Sequence, residues 1–597
     1  MFPEDDLGFF DGLYELRDAA RKSRRALLRL EALAEDGSAF AQWALATLFD
    51  PGIELGPESA TVHPNGAKAA YWYRKAAERG LAAAQMNLAL LYDRGTGIPR
   101  DRLQAAAWYE RAAEQGVEQA QWRLGTLLLR PEGIPGNPAK GLYWLCRAAG
   151  AGEAKLQYGV GGIYEYGWSL WRQAERFPFW AGRGTGRPPP HLGFPFSELE
   201  VTADPSEARR WYRMAAENGH AEASYRLGLL LEEGIGGAAE PAESAVWYRR
   251  AAESGVADAQ YRLGRLYELG SGVARDLPAA VRWYEQAAGR KQPLAACALG
   301  KLHFRGWEGR PDYLVAVDWF VRAAREGDAE AQELLGLCYH RGWGVAQDFV
   351  RAAFWYRRAA AKRPLAATNL GILYRSGQGV PRNDRKAASW FRKAAKAGES
   401  SGQLNLGDLY ALGRGVARNL RSAARWWRRA AEQGLMEAQS RLGELYDFGQ
   451  GVALDRGEAA RWYRRAADQG HAAAANNLAI LYQTGDGVPR DDGEAVRLLR
   501  RAAEGGLAVA QRNLGALCLL GVGGSSNAEE AARWFARAAE QGDSFSQWKL
   551  GELYEQGLGV ERDGRRAIEW YRRAAAQGHP EARRDLDRMS PDSSAVA

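Results

Sequence analysis

The sequence predicts an all-α protein, a right-handed superhelical α-solenoid of about 15 helix-turn-helix repeats of 36 residues. Three observations predict it. A Trp recurs at fixed spacing, each unit carries two amphipathic helical patterns, and glycine and Asp/Asn punctuation separates them. The Trp positions are 72, 108, 144, 211, 247, 283, 319, 355, 390, 426, 462, 534 and 570, with Leu498 filling one place. Thirteen of the 22 Trp therefore share one register. A chain of 597 residues is too long for one core, and a repeat array resolves that without separate domains.

The elements follow in order along the chain. Residues 1–23 form an acidic N-terminal segment without the basic start and apolar run of a secretory signal. Repeats fill residues 24–167, beginning with a degenerate copy at Arg29. The first helix of each unit reads AQxxLGxLYxxG, as in Ala259–Gly270. Its central Gly costs roughly 1 kcal/mol of helix propensity, which points to a close helix–helix contact. The second helix carries a wide apolar stripe, shown by Ala105, Trp108, Tyr109, Ala112 and Ala113. The joining turn is GxGVxxD, as in Gly270–Asp276. Its glycines suit a left-handed C-cap. Its last residue is Asp or Asn in 13 of 14 units, the exception being Glu240, and these residues are strong N-caps. No strand precedes the GxG and no GK[ST] follows, so it reads as a turn and not as a phosphate loop.

The period breaks at residues 168–200, an aromatic and Pro-rich insert. Trp168, Trp171 and Trp180 are mixed there with Arg183 and Arg187. A long insert of this kind either folds back over its neighbours or contacts a partner. Repeats resume over 201–578, a polar capping helix is expected over 579–589, and residues 590–597 read as a disordered tail. One residue is missing near Trp390, where Arg363-Pro364 replaces the usual inter-helix Gly, and no chemistry is read there.

The AQxxLGxLYxxGxGVxxD…AxxWYxxAAxxG units, spanning about Arg24 to Arg584, resemble the Sel-one-like repeat (SLR) family, which is related to the tetratricopeptide repeats. The resemblance implies non-enzymatic adaptors or scaffolds that bind proteins, often in bacteria. It also implies that the first helix of each unit lines a concave groove. On that basis the residue three before the central small residue is a partner-binding candidate: Trp43, Met86, Trp122, Tyr158, Tyr225 and Tyr261. A ladder of aromatics has the composition of an interface hot spot. The same position equally suits packing between adjacent first helices.

Other chemistry is not indicated. Net charge is +7 from 80 basic and 73 acidic residues, too balanced to point to nucleic acid. Paired arginines such as Arg249-Arg250 and Arg464-Arg465 read as solvated residues paired with Glu or Asp one turn on. No run approaches the ~20 apolar residues of a membrane helix, so no membrane insertion is expected. The four cysteines form no CxxC pair, consistent with a reducing, cytoplasmic setting. Cys297, His303, Cys338 and His340 are too poorly aligned on their helices for a zinc site. No catalytic residue, metal or cofactor is assigned. The reading is a scaffold binding a protein or peptide. The alternative is an inhibitor or immunity protein that neutralises a cognate toxin or enzyme.

Overall fold

The computed structural model describes residues 4–53, 62–129, 134–167, 202–307 and 309–589. Among them there are 31 helices and no strand. The chain is an all-α solenoid of tandem helix pairs, as the repeat predicts. It divides into two compact units, Met1–Ala296 and Cys297–Ala597.

In both units a repeat consists of an A helix, a turn and a B helix. Ala257–Leu269 and Leu277–Gly289 form such a pair in the first unit. Met436–Phe448 and Arg456–Asp468 form one in the second. The A helix ends on Gly270 in the left-handed region (φ 73°), as only glycine does without strain. Gly272 (φ 71°) then passes so close to the previous B helix that a Cβ would lie 2.2 Å from the Pro241 carbonyl oxygen. The B helix opens on Asp276, whose carboxylate accepts from the Ala279 N–H at 2.9 Å. Glu240, the one departure from Asp or Asn, makes no side-chain cap bond.

In most repeats the deepest core side chain, the plug, is the residue after the recurrent Trp, which is itself buried or half-buried. Tyr73, Tyr109, Tyr212, Tyr248 and Tyr284 in the first unit are fully buried, as are Phe320, Tyr356, Phe391, Phe535 and Tyr571 in the second. Each such side chain contributes roughly 1.5–3 kcal/mol by leaving water. The central glycine makes room for it: a Cβ on Gly264 would stand 2.7 Å from the Tyr284 ring, and one on Gly443 2.6 Å from Tyr463.

A second recurrent feature, present in most repeats, is the Gln of the AQ pair. Its amide donates to the last turn of the preceding B helix, as Gln85 Nε2 does to Ala77 O (3.2 Å) and Gln547 Nε2 to Ala539 O (3.0 Å). Its oxygen accepts from the next repeat, where Gln115 reaches Gln85 (2.7 Å) and Gln577 reaches Gln547 (2.8 Å). These buried rungs satisfy helix-end carbonyls that would otherwise be orphaned.

The first unit begins with helix Glu4–Ala20, which the sequence did not announce. Tyr14 on it meets Phe40 and Trp43 edge-on at 4.9 and 5.9 Å. The second unit closes with helix Pro580–Met589. Leu586 and Met589 pack there against Ala567 and Tyr571, and Arg588 grips Glu555 at 2.6 and 2.8 Å.

Candidate interaction surface

The six ladder residues lie on A helices of the first unit, but the structure does not give them one role. Met86 and Tyr225 are buried, 4% and 6% exposed. Tyr225 lies against the Tyr248 ring at 6.0 Å, and Tyr261 is half-buried against Tyr284 at 5.9 Å. Tyr158 stacks on His220 at 4.5 Å with an interplanar angle of 14°. Trp43 is half-buried beneath the N-terminal helix. Trp122 differs, being 38% exposed with Arg123 over its ring at 5.4 Å. Trp168, Trp171, Trp180, Arg183 and Arg187 lie outside the described residues.

A common rule explains the register. At Tyr158, Glu333, Thr368, Arg512 and Trp548 the side chain three before the central small residue meets the residue that caps the next A helix. His220 is such a cap, its Nδ1 accepting from Ala223 N–H at 3.1 Å. Burial pulls its imidazole pKa below the ordinary value. In the second unit the same seam is mixed, with polar and charged members as well as Leu404 and Trp548. Glu333 is held by Arg363 at 3.0 and 3.1 Å, Arg512 by Asp543 at 3.1 Å, and Trp548 stacks on His579 at 5.1 Å. Arg363, read from sequence as carrying no chemistry, is thus the cap-position partner of Glu333. Glu153, the residue in the cap position opposite Trp122, makes no side-chain cap bond. On that next A helix Gly159 faces open space where a Cβ would stand.

Ionic and phenolic contacts join the A helices to the B-helix tyrosines and to one another. Tyr212, Tyr248 and Tyr284 donate to Glu165, Glu232 and Glu268 at 2.6, 2.7 and 2.6 Å. Burial, reinforced by these carboxylates, pushes the phenol pKa values up, so the hydroxyls stay protonated donors. Arg262 reaches Glu232 at 3.3 Å, and Arg226 reaches the Tyr166 hydroxyl at 3.0 Å. The sequence carries this pairing as a correlation. Where the plug is Phe320, Phe391 or Phe535, the acid's place is taken by Phe304, Arg375 or Leu519.

The paired arginines do not seek Glu and Asp one turn on. The first donates to the Tyr of the next A helix, as Arg249 does to Tyr267 at 2.6 Å and Arg357 to Tyr374 at 3.1 Å. The second lies over its own Trp, Arg250 over Trp247 at 4.6 Å and Arg465 over Trp462 at 4.7 Å.

Three of the histidines, His220, His471 and His579, serve as caps. Among the described residues, no group of three or more His, Cys, Asp or Glu is placed to hold a metal. Cys297 lies 3.9 Å from Glu330, and His340 lies 3.4 Å from the Tyr356 hydroxyl. No helix among the described residues is long and apolar enough to cross a membrane.

Comparison with known families agrees with this geometry. The Sel1 repeat model matches fourteen segments between residues 39 and 579. The chain belongs to the Sel1 repeat family. Its Sel1 array is similar to the crystal structure of a protective antigen of uropathogenic Escherichia coli strains, described as displaying an SLR fold. Identity is 33% over 76% of this chain and 91% of that one, with a TM-score of 0.62. A Sel1 repeat protein of Oxalobacter formigenes is 32% identical over 52% of this chain and 89% of its own, with a TM-score of 0.42. No protein of curated function was found to match the chain.

Proposed function

We propose that this Sel1 array is a non-enzymatic scaffold that binds a protein partner on the A-helix face of its first unit, around Trp122. The supporting observation is the 38% exposure of Trp122, where Met86 and Tyr225 at the same register position of other A helices are buried. An exposed Trp rimmed by Arg123 and polar groups is the usual anchor of an interface, worth about 2 kcal/mol or more when buried by a partner. Met86 and Tyr225 support the face from beneath and do not touch the partner. The insert residues Trp168, Trp171, Trp180, Arg183 and Arg187 join the proposal on sequence grounds, because the insert begins directly after the next A helix.

A photo-crosslinking residue at position 122 is expected to trap a partner that the same residue at position 569, on a B helix of the second unit, does not. Trp122→Ala is then expected to weaken that partner's binding by about 30-fold while leaving thermal unfolding unchanged. Equal trapping at both positions, or lowered melting with unchanged affinity, overturns the proposal.

A further inference from the structure

The even charge of the whole chain conceals a local excess. Residues 349–432 carry 18 basic and 4 acidic side chains, a net +14, whereas the other 513 residues carry 62 and 69, a net −7. The excess is concentrated on three consecutive B helices of the second unit, Phe349–Ala359, Asp384–Lys396 and Leu420–Glu432. Together these hold 12 basic residues against Asp384 and Glu432. Even the helix starts are less acidic here, since Asn383 and Asn419 cap where most repeats use Asp.

The charges point one way. At 100° per residue, the basic positions on these helices fall in an arc of roughly 120°, opposite the buried alanine pairs. Fourteen basic residues of the 349–432 segment are exposed. Of these, Arg351 and Arg382 have a carboxylate within reach, at 3.4 and 3.8 Å. The following three B helices make the contrast. At the register position of Arg425 they place Arg461, Arg497 and Arg533, each paired with a carboxylate on its own helix, Glu458, Glu494 and Glu529. The charge of Arg385, Lys396, Arg421 and Arg425 is left uncompensated by comparison.

We propose that this face docks an acidic polypeptide segment. The basic face supplies the charge complementarity. Exposed Val350 (65%) and Phe354 (47%) add apolar contact at its edge. Single-stranded nucleic acid is disfavoured because its bases need a free aromatic face to stack on. Trp355, Trp390 and Trp426 are each overlaid by their own Arg358, Lys393 or Arg429, at 5.7, 5.3 and 4.9 Å. The inference rests on the reading of the array as a protein-binding scaffold but uses a different surface.

The test uses the full chain and a labelled Glu- and Asp-rich peptide of about 20 residues, long enough as a ~30 Å helix to cross three B helices spaced ~8–10 Å apart. Binding is expected to weaken with salt. The triple variant Arg385→Glu, Lys393→Glu, Arg425→Glu is expected to lose about tenfold or more in affinity, and the matching Gln variant is expected to lose less. The control Arg461→Glu, Arg497→Glu, Arg533→Glu is expected to change it little. Trp122→Ala is expected to leave peptide binding intact, which separates failure here from failure of the Trp122 surface. An equal loss in the control overturns the proposal, as does absence of peptide binding. So does tighter binding of a DNA duplex or of phosphatidylserine vesicles than of the peptide. Should the Glu variant fail to fold, unchanged affinity in the Gln variant overturns it too.

Discussion

The two units use one helix–helix seam in two chemical languages. In the first unit the seam position holds Met86, Tyr158, Tyr225 and Tyr261, packed against aromatic plugs and a neutral His cap. In the second it also holds Glu333, Thr368 and Arg512, bonded to Arg363, Glu399 and Asp543, while Trp548 on His579 repeats the aromatic form. Gln rungs and glycine–aromatic contacts recur in both units. The backbone spacing is therefore held by these recurring contacts, and the seam is free to vary. Variability at a position is thus no sign that it faces a partner.

The contrast can be broken at its strongest point first. Tyr225→Ala removes a buried ring and is expected to cost about 3 kcal/mol. Hydrogen exchange should show lost protection in Ala221–Glu233 and Pro241–Glu253, because each repeat leans on its neighbours. Unchanged protection would mean that the ring is not core. Glu333→Ala comes next, at about 1–2 kcal/mol, less than for a fully buried pair because Arg363 keeps 40% of its side-chain surface exposed. Adding Arg363→Ala should recover part of that loss. A double variant as costly as the sum of the two singles would show that the pair is uncoupled.

The smallest effect is a pH dependence peculiar to a His-capped seam. His220 has a folded pKa below its unfolded one because burial disfavours the cation. Its stabilisation is complete above the unfolded value near 6.5 and is lost as pH falls towards the lower folded value. Acidification also removes the Nδ1 acceptor for Ala223. Melting of the native chain should fall between about pH 7.5 and 5.5 more than that of His220→Asn, which keeps a cap acceptor that does not titrate. Identical slopes would show that His220 takes no part in the loss.

Much of the fold was legible in the residues. The period, the Gly270 and Asp276 caps and the tight Gly264 contact are local features with one physical solution each. The ladder was legible as a register but not as a role. One register position leaves Trp122 open and Tyr225 buried. The basic face of residues 349–432 was present in the composition but hidden by averaging over 597 residues. The Tyr–acid correlation, Tyr248 with Glu232 against Phe320 with Phe304, was a usable signal of helix–helix pairing.

By itself the sequence determined the Sel1 repeat, its helix pairs and their caps, because those depend on periodicity and on conformational preferences within a few residues. Tertiary structure decided which aromatic is the plug, whom the arginines serve and which ladder residue remains open. Those outcomes depend on which side chains from neighbouring repeats arrive at the same place. Arg249 finds the Tyr267 hydroxyl because the next A helix presents it there, and no property of the arginine alone contains that.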